Sequence, residues 1–128
     1  MKVYVTARFK GAKKKDIEQL CRAIRDAGFE DFSFIRDIEN YQKKFDDPKD
    51  LWESAKKEIA KCELLLIDIS DTPSGGRVVE AGIAYGLGIP IIIVVKRAVE
   101  FKDFYNGIAT KIIVYDTYPD ITKALKKL

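Results

Sequence analysis

Two apolar runs, Leu64 to Ile69 and Ile91 to Val95, constrain this chain more than any other feature. Asp68 alone interrupts the first of them, one residue from its end. Each run has strand length, and neither alternates with polar residues, so both faces of each strand must be covered. A helical stretch that ends near Gly88 separates them. Strand, crossover helix and strand form the unit of a parallel sheet packed between helices.

The remainder of the chain repeats that unit. Val3-Tyr4-Val5 opens as a short strand, and Ile17, Leu20, Cys21 and Ile24 then recur at helical spacing until Gly28. Phe32, Phe34 and Ile35 predict a second strand, and the polar stretch from Asp37 to Asp47 predicts a loop. Asp47-Pro48 reads as N-cap and first helical position, with Leu51, Ala55, Ile59 and Cys62 on the buried face. Ile112 to Tyr115 makes a fifth strand, and Pro119 opens a last helix lined by Ile121, Ala124, Leu125 and Leu128. With 128 residues, no repeat and no linker, the expectation is one domain over 1–128. Its fold class is α/β: a five-stranded parallel sheet in the flavodoxin-like order 2-1-3-4-5, with helices on both faces.

Composition removes several classes of function. The chain has no histidine and only two cysteines, so Ser-His-Asp and Cys-His catalysis and an ordinary zinc site are excluded. Cys21 and Cys62 sit at apolar helix positions as small core residues, which fits a reducing, cytoplasmic setting. The 23 basic and 20 acidic residues leave a net charge of +3, too mild and too interspersed for a nucleic-acid binder. No signal-peptide pattern or membrane-spanning run is expected, because Gly, Pro and Glu80 break the apolar stretches.

In a 2-1-3-4-5 sheet, ligands bind at the carboxyl ends of strands 1 and 3. Two loops fall there, Ala7-Arg8-Phe9-Lys10-Gly11 and Asp68 to Gly76. The second brings Ser74, Gly75 and Gly76 to a helix start, where free N–H groups favour an anion such as phosphate. Arg8 and Lys10 add positive charge, although Lys10 also leads into Lys13-Lys14-Lys15, a run that reads equally as solvated surface. Neither loop is a P-loop or a dinucleotide fingerprint. Asp71 is a turn-former before Thr72-Pro73, while Asp68 at the strand end is a candidate to orient a hydroxyl.

Glu80 is the most informative residue, the only charge between Arg77 and Lys96. A bland reading lets it favour the helix dipole by roughly 0.3 to 1 kcal/mol and point at water. The sharper reading places a carboxylate at the cleft rim, suited to nucleophilic or acid/base work at a sugar carbon.

The string from Asp68 to Pro90, with Glu80-Ala-Gly82-Ile-Ala84 at its centre and Gly86 and Pro90 after it, resembles the signature of the nucleoside 2-deoxyribosyltransferase family. Val3-Tyr4-Val5 and its loop resemble that family's opening strand, so the resemblance spans essentially the whole chain. Arg8-Phe9-Lys10-Gly11 and Pro73-Ser74-Gly75 are most similar to the phosphate-reading loops of its 2'-deoxynucleoside 5'-phosphate N-hydrolase branch.

The resemblance implies Glu80 as catalytic glutamate, Tyr4 beside it, and Lys10 and Ser74 as phosphate contacts. It implies hydrolysis of deoxynucleoside 5'-monophosphates to free base and deoxyribose 5-phosphate through a covalent glutamyl-sugar intermediate, with no metal or redox cofactor. The alternatives are base exchange on nucleosides, or a nucleotide-binding module without catalysis. It also implies a homodimer whose sites are shared through the segment at Lys102, Asp103 and Asn106. The family's helix-borne aspartate is absent: Glu53-Ser54-Ala55 stands in its place, leaving Glu53 or Asp68 to take that part.

Overall fold

A computed structural model describes residues 1–7, 14–71, 75–101 and 103–128. Its strands are β1 (Lys2–Thr6), β2 (Glu30–Ser33), β3 (Leu64–Asp68), β4 (Ile91–Lys96) and β5 (Lys111–Tyr115). Its helices are α1 (Lys14–Asp26), α2 (Phe34–Asp37), α3 (Pro48–Ala60), α4 (Gly75–Gly86) and α5 (Tyr118–Leu125), with a 3-10 turn at Asp103–Gly107. The five strands form one parallel sheet in the expected order β2-β1-β3-β4-β5, and its doubly apolar strands β3 and β4 lie inside it.

The pleat sorts side chains to two cores. Val3, Val5, Leu64, Leu66, Ile92 and Val94 pack with α1 and α5 on one face. Tyr4, Leu65, Ile67, Ile91, Ile93 and Val95 pack with α3 and α4 on the other. Cys21 lies in the first core and Cys62 in the second, both buried as free thiols.

Both helix-ending glycines act as expected from the sequence. Gly28 and Gly88 take positive φ of 94° and 72°. After α1, Phe29 N–H reaches the Ile24 carbonyl and Gly28 N–H the Arg25 carbonyl; after α4, Ile89 N–H reaches Ala84 and Gly88 N–H reaches Tyr85. These are Schellman closures, which need a left-handed residue that glycine supplies without a Cβ penalty. At the start of α3, Asp47 accepts from the Lys49 N–H at 3.0 Å and Pro48 occupies the first turn.

The second strand differs from its expectation. It ends at Ser33, and Phe34 and Ile35 enter the short helix α2 instead of continuing extended. Asp37 turns back to accept from the Ser33 N–H at 3.0 Å, and Arg36 clamps both Asp37 and Asp31 at 2.8 Å. This local charge network outweighs the strand preference of two bulky apolar residues. The chain thereby turns across the carboxyl edge of the sheet, bringing the polar stretch over the cleft.

Candidate active site

A pocket of about 280 Å³ opens at that edge between β1, α2, α3 and α4. Glu80 on α4, Thr6 at the end of β1, Glu39 beyond α2 and Trp52 on α3 all line it. Glu80 is half-buried at the pocket wall. The Tyr4 hydroxyl donates to its Oε2, and the Thr6 hydroxyl donates to Oε1 at 2.8 Å. Tyr4 and Thr6 are two residues apart on β1, so the pleat carries both to the α4 side of the sheet.

Burial pushes the Glu80 carboxyl above the ordinary carboxylate range, and Glu39 adds to the rise. The hydrogen bonds from Tyr4 and Thr6, and the positive charge of Arg77, oppose it. Tyr4 itself is held far above its ordinary value by burial and by Glu80, so its phenol stays protonated and serves as a donor. The result is a carboxylate poorly solvated by water but oriented by two fixed hydroxyls. That is the electrostatic setting of an oxygen nucleophile.

Around it the walls differ. Phe34, Ile35, Leu51, Trp52 and Ala55 give an apolar, partly aromatic side from α2 and α3. Opposite, Gly76 and Arg77 bring the first turn of α4, whose free N–H groups carry positive potential. The buried Arg77 guanidinium donates to the Asp68 carbonyl at 2.6 Å and to Asp71 at 2.9 Å, fixing the β3–α4 connection.

The segment behind Glu39 is bent hard. Asn40 and Tyr41 are both left-handed, with φ of 50° and 60°. Asparagine tolerates this conformation, but for Tyr41 it costs roughly 1 to 2 kcal/mol. The bend is held by Tyr41, whose N–H reaches the Ile35 carbonyl at 2.7 Å, whose hydroxyl donates to Glu18 and whose ring meets the Lys14 ammonium at 4.8 Å.

No protein-family profile matches the sequence, and no curated protein does so at a significant level. Solved structures do match. The CMP N-glycosidase BcmB of Clostridium botulinum superposes with a TM-score of 0.73 at 21% identity, covering 99% of this chain and 98% of that one. The 2-deoxyribosyltransferase of Bacillus psychrosaccharolyticus gives a TM-score of 0.75 at 16% identity, covering 98% and 96%. This chain has the nucleoside 2-deoxyribosyltransferase fold. A conserved protein of Enterococcus faecalis V583 shares it as well, with a TM-score of 0.82 at 15% identity over 98% and 97% of the two chains.

Within this deoxyribosyltransferase fold, the expected site residues divide. Tyr4 and Glu80 meet directly, and Gly76 lines the same pocket while Gly75 is exposed at the helix start. Arg8, Lys10, Gly11 and Ser74, expected as phosphate contacts, lie outside the described residues, as does Lys102. Asn106 is exposed on the 3-10 turn and does not line this pocket.

Two expected catalytic carboxylates do not join Glu80. Glu53 is exposed, because Leu51, Trp52 and Ala55 take the pocket-facing side of α3 and the next position after Trp52 rotates about 100° toward solvent. Asp68 follows Leu64 and Leu66 in the pleat and so projects to the α1 and α5 side. There it accepts from Tyr115 at 2.6 Å and from the Ser70 hydroxyl and N–H at 2.6 and 2.9 Å. Asp68 is a tie between the ends of β3 and β5.

The sequence reading missed Thr6, Glu39 and Trp52. The first was legible, since a residue two past Tyr4 on a strand shares its face. Glu39 sits in an aperiodic polar stretch, and only the left-handed bend after it explains where it goes. Among the described residues, no group of three or more His, Cys, Asp or Glu side chains is arranged to hold a metal ion. No helix there is long and apolar enough to cross a membrane.

Proposed function

We propose that this protein cleaves the N-glycosidic bond of 2'-deoxynucleoside 5'-monophosphates, with Glu80 as nucleophile and water as final acceptor. The observation that carries the reading is Glu80 held at the pocket by the Tyr4 and Thr6 hydroxyls. The pocket's chemistry supports the substrate class: a flat base suits the Phe34 and Trp52 side, and a phosphate suits the start of α4 at Gly76. The fold shared with an N-glycosidase and a deoxyribosyltransferase supports the bond type.

A Glu80 oxygen attacks C1' as positive charge develops on the sugar, and the C1'–N bond breaks with its electron pair leaving on the base. Burial, which disfavours the free carboxylate, favours the neutral glycosyl ester that forms. The hydroxyls of Tyr4 and Thr6 hold the carboxylate in line for attack and again as it departs. Water then adds to C1' and releases deoxyribose 5-phosphate.

The active form is a homodimer. Val78, Val79, Tyr85 and Leu87 leave an exposed apolar face along and just beyond α4, next to the helix turn that carries Glu80. Pairing there, with the turn bearing Asn106 reaching a neighbouring site, gives Asn106 a role it lacks in its own pocket.

The test is chromatographic detection of free base from each deoxynucleoside 5'-monophosphate, beside the matching ribonucleotides and nucleosides. Base release confined to phosphorylated deoxy substrates supports the reading. Release from ribonucleotides shifts the sugar preference, and base exchange on nucleosides makes the protein a transferase. Saturable binding with no base release throughout would leave a nucleotide-binding module.

A further inference from the structure

Departure of a nucleobase needs a proton as well as a nucleophile, because the base leaves with the electron pair of the broken bond. Among the described residues lining the pocket, the titratable side chains are Glu39, Arg77 and Glu80. Arg77 is committed to Asp68 and Asp71, and a guanidinium does not release a proton in a protein. Glu80 is the nucleophile of the reading above. Glu53 and Asp68 are turned away from the pocket, so among the described residues that line it Glu39 is the one remaining acid.

The surroundings of Glu39 fit that part. No hydrogen bond or ion pair joins its carboxyl group to any described residue, although it is half-buried. Among the described residues lining the pocket, the charged groups beside Glu39 come from α4, namely Glu80 and Arg77; α3 presents Leu51, Trp52 and Ala55, and β1 and its end present Val5, Thr6 and Ala7. Burial raises its pKa, and repulsion between Glu39 and Glu80 favours a single proton held by the pair, which rests on Glu39 when Glu80 is the carboxylate. Its backbone is fixed by Phe34, whose carbonyl accepts the Glu39 N–H at 3.0 Å, and by the left-handed pair Asn40 and Tyr41 that follows. Left-handed backbone at two successive residues is kept where the surrounding structure demands it, most often beside a site.

We propose that Glu39 is the acid of this pocket, delivering its carboxyl proton to the departing base on the aromatic side of the cleft while Glu80 takes the sugar. The proposal rests on the N-glycosidase reading. In the first step the Glu39 O–H bond breaks, its proton goes to the base, and Glu39 is left as a carboxylate. In the second step that carboxylate takes a proton from the water that attacks C1', and Glu80 leaves as a carboxylate. Glu39 is thereby restored to its acid form, and protons and electron pairs balance over the cycle.

The test compares two leaving groups in wild type, Glu39→Gln and Glu80→Gln. One is the natural base of a deoxynucleoside 5'-monophosphate; the other is 4-nitrophenolate on the same deoxyribose 5-phosphate, which departs without protonation. Glu39→Gln is expected to slow base release by about 10²- to 10⁴-fold and nitrophenolate release by less than about tenfold. It should also remove the alkaline limb from the pH profile of base release. Glu80→Gln should abolish both reactions. An equal loss on the two substrates, or no loss on the natural one, overturns the assignment of Glu39 while leaving the N-glycosidase reading intact. A wild-type protein that releases neither group overturns that reading, and the assignment with it. Glu39→Asp, which keeps the acid on a shorter arm, checks folding: partial return of base release with an alkaline limb supports the role, and behaviour identical to Glu39→Gln counts against it.

Discussion

Tyr4 and Glu80 stand 76 residues apart in the chain and are joined by one hydrogen bond, phenol to carboxylate, at the wall of the pocket. The first comes from the opening strand, the second from the helix after β3, and the sheet order places β1 beside β3. A carboxylate reached in this way is tied to the rigid core, because Tyr4 is fully buried. Among the described residues, the side chains that orient it both come from β1.

This linkage sets a pH dependence. In the proposed mechanism Glu80 must be ionised to attack, and burial raises its pKa, so the acid limb of kcat/KM should lie above the ordinary glutamate value of about 4.3. Tyr4→Phe and Thr6→Val each remove a hydrogen bond that lowers that pKa. Both should move the acid limb to higher pH and reduce kcat, with the fold retained. A limb that stays in place in both variants would show that these hydroxyls do not act on Glu80.

The same burial makes Glu80 costly to the fold. Its folded pKa lies above its unfolded one, so it costs nothing at a pH where both states are protonated. The cost then grows as pH rises through the interval between the two values. Glu80→Gln should therefore be inactive yet more stable than wild type at pH 8. The gain should shrink toward pH 4, as read by thermal melting across that range. Equal melting temperatures for the two proteins at every pH would mean that Glu80 is not desolvated.

Asp68 predicts the opposite pattern. Removing its carboxylate with Asp68→Ala strands the donors of Tyr115 and Ser70. The expected loss is about 2 to 4 kcal/mol of stability in urea unfolding. Assayed below its melting transition, the variant should keep the wild-type pH profile. Glu53→Ala, at an exposed position, should change stability by no more than about 0.5 kcal/mol and leave turnover alone.

The contrast between these residues shows what was legible in the sequence. The helix-covered parallel sheet followed from Leu64 to Ile69 and Ile91 to Val95, which are buried on both faces, and the order 2-1-3-4-5 from the natural arrangement of five such strands. Glu80 was legible because a lone charge in an apolar helix stands out against its neighbours, whereas Tyr4 was reached only through the likeness of the opening strand to that of the resembled family. Asp68 was misplaced by proximity: lying at the right edge of the sheet, it belongs to the wrong face, which strand parity alone could have told. Glu53 failed on helix phase in the same way. Glu39 had no such handle, since aperiodic backbone is settled by long-range contacts such as that of Tyr41 with Glu18, 23 residues away.

In the proposed mechanism Glu80 carries the sugar between the two steps. That role is tested most directly by mass spectrometry of the protein treated with a 2'-deoxy-2'-fluoroarabinonucleoside 5'-monophosphate, whose electron-withdrawing fluorine slows release of the glycosyl ester. The expected result is one fluorinated sugar phosphate per chain on the peptide containing Glu80, one equivalent of free base, and no adduct in Glu80→Gln. Base release at the same rate from Glu80→Gln, or an adduct on a peptide without Glu80, would contradict the account.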